Sequence, residues 1–312
     1  MKPRQSFFIL CMLLFSVACS QASKEAEVEA GDDAAAQLLV VYASNYPLTY
    51  FAERIAGPLA EVRFPAAGQG DPAYWSPGGE AIAAMQQADL ILLNGATYEQ
   101  WVKNVTLPES RLVNTTAGLE DRLIEVRDAV THSHGDEGEH SHAGTAFTTW
   151  LDLSLAAEQA EAIKTALIRA LPGAEAELQS RFASLREDLL SLDAEMKELT
   201  AASSPTVFFS HPVYQYLQRR YGIDGHSVHW EPGEAPDAKA IKGFRHDLGH
   251  HPSGWMIWEA APLADTQALL EEMGVATAVF DPCADTPAQG DFLSVMRANV
   301  ERMRPIFQRQ AQ

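Results

Sequence analysis

The sequence predicts an α/β protein, and three observations carry that prediction. Short apolar runs rich in β-branched and aromatic residues alternate with amphipathic helical stretches, the signature of a parallel sheet with crossover helices. The alternation occurs twice, once before residue 151 and once after residue 204. Between the two lies a stretch from Ala174 to Ala201 with no Pro or Gly, about 28 residues and so about 42 Å if helical. The 312 residues suffice for two domains of ordinary size.

The formal charge of −19 argues against nucleic acid as a partner and suits a soluble protein that attracts cations. Of the three cysteines, Cys11 and Cys19 lie near the N-terminus and Cys283 stands alone in the body. An intramolecular disulfide in the mature fold would therefore need Cys19.

Lys2 and Arg4 precede an apolar run from Phe7 to Val17 that closes at Ala18. Residues 1–18 read as a secretory signal, too short for a membrane span. Ser16-Val17-Ala18-Cys19 resembles a bacterial lipobox, so Cys19 is the expected lipidation site, with ordinary cleavage nearby as the alternative. Residues 19–36 are small, polar and acidic, the composition of a flexible tether.

The first lobe is expected over 37–151. Leu38–Ala43 reads as a strand, broken by Tyr46-Pro47-Leu48. Thr49 is a candidate cap for the helix YFAERIAG that closes at Gly57. Glu61–Phe64, Leu90–Leu93 and Arg111–Asn114 read as further strands, with a helix over Ala81–Ala88. Thr131–Gly144, THSHGDEGEHSHAG, interleaves His132, His134, His140 and His142 with acids and glycines. It cannot pack a core and is expected to be a mobile loop. Its imidazoles and carboxylates together suit a borderline cation such as zinc.

The connector is expected over 152–203. Ser154–Leu171 is amphipathic and ends at Pro172-Gly173. In the long stretch that follows, Leu178, Phe182, Leu185, Leu189, Leu192 and Met196 keep helical spacing.

The second lobe is expected over 204–312. Val207–Phe209 reads as a buried strand, followed by a polar loop and a helix ending near Tyr221, with Gly222 as its C-cap. His211 thus falls at the carboxyl end of a strand, the edge where open α/β sheets bind ligands. His226 and His229 are expected to be packing or surface residues. A helix from Asp237 to Leu248, with Ala235 as a weak cap, ends in His246, His250 and His251. His246 and His250 are four residues apart and could share a metal, but Gly249 is expected to end the helix first. Met256–Trp258 and Ala276–Phe280 are the remaining strands, with a helix over Gln267–Met273 between them and a terminal helix over Phe292–Phe307. Glu259 and Asp281 close those two strands, so His211, Glu259 and Asp281 all reach the same sheet edge. A His and an Asp there supply half of a four-coordinate site for a divalent cation.

VFFSHPVYQYLQRRYGI, YPLTYFAERIAG and ADLILLNGATYEQW are similar to the corresponding segments of the metal-binding, solute-binding lipoproteins of bacterial zinc and manganese ABC importers. The resemblance extends over nearly all of the mature chain. It implies two parallel-sheet α/β lobes joined by one long rigid helix, and capture of a divalent ion for an ABC permease membrane subunit. It also implies attachment to the membrane through a lipid anchor in the periplasm or cell envelope; a monomer is expected. His211 and Asp281 match family ligand positions, and Glu259 matches a family glutamate placed to orient a ligand. The family carries a His-rich loop where this chain has 131–144 in its zinc-type members, which points to zinc over manganese. Two positions depart from the pattern. The family usually has a Pro-His pair where this chain has Pro72-Ala73, and a His two residues before the Trp where it has Thr148.

The alternatives are a periplasmic zinc chaperone or buffer, an adhesin, and a metal-dependent hydrolase using His211, Asp281 and Glu259. The absence of a nucleophile elbow, of HExxH and of a closely spaced acid–base pair sets the enzyme reading aside.

Overall fold

The computed structural model describes residues 38–126, 131–133, 139–141 and 144–308. The expected signal, the lipidation site Cys19 and the tether lie outside them, as do His134 and His142. The described residues form one compact unit.

The chain enters on β1 (Leu39–Ala43), which is almost wholly buried. α1 (Tyr46–Ala56) follows directly. Its cap is Asn45, whose side chain accepts from Leu48 N at 3.0 Å, and not Thr49 as expected. Pro47 belongs to the first helical turn, where its missing N–H has no intrahelical partner to lose, so the Tyr-Pro-Leu break is the helix start itself. Gly57 closes α1 at φ 54, and a Cβ there would overlap the Arg181 guanidinium that donates to Ala56 O. β2 (Ala60–Arg63), α2 (Gly79–Met85), β3 (Leu90–Leu93) and β4 (Leu112–Asn114) complete the first sheet. Its order is β2-β1-β3-β4 and every pairing is parallel.

β5 (Glu125–Val126) leads into the histidine-bearing stretch. There, where no strand was expected, β6 (Thr131–Ser133) and β7 (Glu139–Ser141) pair antiparallel with His132 opposite His140. β8 (Gly144–Thr145) then returns beside β5. Residues of alternating type can form a ladder when backbone hydrogen bonds replace the missing apolar contacts.

α3 (Leu153–Ala170) is capped by Asp152, which accepts from Ser154 N and Leu155 N. α4 (Glu175–Ala201) runs 27 residues without interruption and buries every member of the predicted stripe. It packs on α1 and α3 of the first half. It also packs on α5 (Gln215–Tyr221) and α8 (Phe292–Phe307) of the second. Arg54 holds Asp188 at 2.8 Å from the first half, and Arg220 and Arg304 hold Asp193 and Glu195, within the next two turns, from the second.

The second sheet contains β9 (Val207–Phe209), β10 (Gly225–Ser227), β11 (Trp255–Trp258) and β12 (Ala276–Val279). Its order, β10-β9-β11-β12, repeats the first sheet strand for strand, again all parallel. A Cβ on Gly225 would approach Phe209 to 2.5 Å, so β10 pairs with β9 only through glycine here. α6 (Ala238–His250) is capped by Asp237 itself, which accepts from Ala240 N at 2.7 Å. Two expectations change with it: Ala235 is not the cap, and Gly249 does not end the helix, which continues to His250. Interior glycine costs about 1 kcal/mol relative to Ala but leaves the hydrogen-bond ladder intact. α7 (Ala264–Glu272) precedes β12, and Asp291 opens α8 with a reciprocal capping box to Ser294. One apolar cluster runs from Phe51 and Ile55 through Leu185 and Leu189 to Leu217, Phe292 and Met303, so α4 carries core from both lobes.

Candidate metal centre

In each sheet the connections leave the first strand on one side and return on the other, so the switch points lie between β1 and β3 and between β9 and β11. Ligands of open α/β sheets gather outside those strand ends. The two sheets place their switch points facing one another: Asp71 and Tyr74, from the loop after β2, lie within electrostatic reach of Glu231 and Glu259 after β10 and β11. Backbone and side-chain bonds tie the facing loops together, with Trp150 Nε1 donating to Pro282 O at 2.8 Å and Tyr46 N to Ala284 O at 2.9 Å.

His211 follows β9 after Ser210, and its side chain is only 7% exposed. Its Nδ1 lies 2.8 Å from Glu231 Oε1 and 3.9 Å from Glu259 Oε1. Burial works against the charged imidazole, but the bond to Glu231 and the charges of Glu259 and Asp71 outweigh it and hold the pKa above the ordinary value. Burial pushes Glu259 up to about 7; the charge on His211 opposes that, while Glu231, Asp71 and Asp281 add to it. Burial also raises Asp281, against the pull of the Cys283 N–H and Arg302. Asp281 Oδ1 accepts from Cys283 N at 2.7 Å, and Asn299 brackets its backbone from both sides. The structure therefore gathers His211, Glu231 and Glu259, with Asp281 at the next strand end and Asp71 opposite.

Glu231 is the residue that sequence reading missed. It sits in the exit loop of a three-residue strand, four residues beyond Ser227, where no periodicity marks it. The available signal was topological: β10 is the neighbour of β9, so its exit loop must open beside His211. His229 also belongs here, its ring centroid 5.9 Å from that of His211. His226 does pack as expected, stacked on His251 at 3.7 Å.

The two departures from the family pattern are closed by packing. Ala73 is 3% exposed beneath a turn in which Asp71 Oδ1 accepts from Ala73 N at 2.9 Å. Thr148 is buried, and its hydroxyl donates to Val213 O across the lobes. The first lobe uses its own switch-point carboxylate internally. Glu99 accepts from Ser44 Oγ and Asn94 N, both at 2.5 Å, and from Gly95 N at 3.1 Å. Burial pushes its pKa up to about 7. That grip holds Gly95, Ala96 and Thr97 at φ 77, 49 and 66, a run that costs energy at the two non-glycine residues. Cys283 is likewise buried, with its thiol pKa raised by burial. Among the described residues, no three His, Cys, Asp or Glu side chains converge closely enough to hold an ion between them.

Two repeated parallel α/β lobes, facing across their strand ends and joined through a continuous helix, define a two-lobed binding protein of the helix-backed kind. The model of the ZnuA family, the periplasmic component A of the zinc-uptake complex, matches residues 41–305, and the chain belongs to that family. The zinc-binding lipoprotein AdcA of Streptococcus pneumoniae (strain ATCC BAA-255 / R6) is 26% identical over 307 residues, covering 95% of this chain and 59% of AdcA. The chain thus spans about three-fifths of that relative. The high-affinity zinc uptake system protein ZnuA of Bacillus subtilis (strain 168) is 22% identical over 322 residues, covering 96% of this chain and 95% of the relative. The crystal structure of the Zn(II)-bound ZnuA-like domain of S. pneumoniae AdcA superposes with a TM-score of 0.73 at 20% identity, over 86% of this chain and 99% of that one.

Proposed function

We propose that this protein captures a divalent cation, zinc before manganese, between its two lobes outside the cytoplasm and delivers it to an ABC permease. The observation that supports this most directly is the His211–Glu231 contact. A carboxylate on Nδ1 fixes the tautomer and ring orientation so that ligation runs through Nε2, the usual arrangement behind a zinc-bound histidine. His211 and Asp281 are the proposed fixed ligands, with Glu259 as an accessory donor. His132, His134, His140, His142 or water complete the four donors that zinc prefers. Two fixed ligands plus water would bind weakly; the acidic surroundings and added imidazoles raise affinity.

The rest of the reading follows the family. Residues 1–18 direct secretion, Cys19 is lipidated, and residues 19–36 tether a monomer to the envelope. The lobes occupy 37–151 and 204–312 with 152–203 between them. In this reading the protein is a carrier, as its family is, and its charged strand-end residues surround the cation. Metal analysis of the purified mature protein, followed by competition titration with zinc for the native chain and for His211→Ala, tests the proposal. Loss of the tightest zinc event in the variant is expected. An unchanged event would mean that the cleft does not hold the metal.

A further inference from the structure

The ten histidines fall into three places: four in residues 132–142, His211 and His229 at the cleft, and His226, His246, His250 and His251 around the end of α6. The last group has no part in the cleft. Within it, His246 and His250 occupy successive turns of one helix face, because α6 continues through Gly249 to His250. Residues four apart on a helix are surface neighbours. Their rings lie 4.6 Å apart at 68°. Both residues are exposed, and neither imidazole makes a hydrogen bond or ion pair among the described residues.

We propose that His246 and His250 chelate a divalent transition-metal ion, forming a second and weaker metal site on the last turn of α6. Zn–N bonds of about 2.0–2.1 Å at a near-tetrahedral angle bring two imidazole centroids to about 5 Å. The observed spacing meets that with little rearrangement. The neighbouring pair does not: His226 and His251 stack at 30°, which sets their in-plane nitrogens side by side and not toward a common point. Helix polarity adds to the case. The last turn presents unpaired carbonyls and the negative end of the macrodipole, which favours a cation, on a protein whose formal charge is −19. Two imidazoles leave the remaining positions to water, so the site is weaker than a four-donor centre, and Cu(II) should exceed Zn(II) there. The proposal does not depend on the cleft binding metal.

The test follows the imidazole ¹⁵N and ¹H resonances of His246 and His250 in the mature protein, assigned by single substitution, as zinc sulfate is added beyond saturation of any tighter site. Both rings should shift together with one binding curve. In His250→Ala the His246 response should move to at least about tenfold higher zinc, because one of its two donors is gone. His246→Ala should do the same to His250. Both residues are exposed on a helix end, so these variants should melt with the native chain in chelator. A His246 curve unchanged by loss of His250, or rings that do not respond at all, would overturn the chelate. The first outcome would mean two independent surface histidines.

Discussion

Glu231 Oε1 stands 2.8 Å from His211 Nδ1, closer than Glu259, which approaches the same nitrogen only to 3.9 Å. The residue that aims the imidazole therefore comes from the strand next to it, β10. Glu231→Gln keeps the shape and removes the charge. Zinc affinity should fall by about 10–100-fold, as it does when such orienting partners are lost, and the His211 imidazole should titrate at lower pH. Competition titration and histidine NMR measure both. An unchanged affinity would assign the orienting role elsewhere.

The pKa shifts at the strand ends all act in one direction. Glu259 holds its proton up to about 7 in the folded protein, and Glu99 does the same. A carboxyl raised in this way contributes stability that is fully present below its ordinary value and is lost as pH rises through about 7. His211 is also raised, so its contribution is lost as pH climbs past its folded value. Metal-free protein should therefore lose stability between about pH 5 and pH 8. The difference between 4.5 and about 7 at Glu259 corresponds to about 3 kcal/mol. Zinc at the cleft displaces the protons of His211 and Glu259, so it should raise the melting temperature more at the alkaline end. Thermal melts with chelator and with zinc across this range check the sign. A metal-free Tm that climbs toward pH 8 would contradict it, and Glu259→Gln should flatten the slope.

α4 carries core from both lobes and is clamped at Asp188 from the first and at Asp193 and Glu195 from the second. Large closure would have to break these contacts and bend an uninterrupted helix. Scattering with and without zinc should show little change in radius of gyration, and a pronounced contraction would refute the rigid spine. Leu185 is fully buried in the stripe. Leu185→Ala should cost about 2–5 kcal/mol in denaturant unfolding, with both lobes lost in one transition.

Much of this fold was legible because its elements are strongly periodic. The α4 stripe and the terminal helix Phe292–Phe307 have one possible period, and Gly222 at φ 64 closes α5 as its residue type demands. The boundaries that misled are those where one residue type serves two roles. Pro47 reads as a break but fits a first helical turn, Asp237 reads as a first residue but caps, and Gly249 reads as a stop but is tolerated. At the centre, His211, Glu259 and Asp281 were visible because each directly follows an apolar strand. Glu231 was not, since its nearness to His211 depends on β10 pairing beside β9, a fact of topology and not of local pattern. Sequence also did not show that Ala73 and Thr148 would be buried, because Thr148 is bonded to Val213 O of the opposite lobe and Ala73 lies under a turn held by Asp71.

The histidine-bearing stretch leaves and returns at paired backbone positions, Val126 opposite Gly144 and Glu125 opposite Thr145. Removing residues 132–142 and joining the ends should therefore leave the β5–β8 ladder and the fold intact, with a melting temperature in chelator close to that of the full chain. Metal binding should change more. Among the described residues no three donors converge, so a centre built on His211 and Asp281 needs further ligands, and the deleted imidazoles, a few residues upstream of Thr148, can supply them. Total zinc stoichiometry should drop, and the tightest event should weaken. The inherited geometry offers a rescue: Ala73→His with Thr148→His in the shortened chain should recover affinity. Both positions are buried, and Thr148 must give up its bond to Val213 O, so the rescued protein should melt lower than its parent. Calorimetric zinc titration and thermal melts on the three proteins separate the contributions. Unchanged stoichiometry and affinity after the deletion would make the stretch a spacer, and the cleft would then bind zinc with the donors the two lobes already hold.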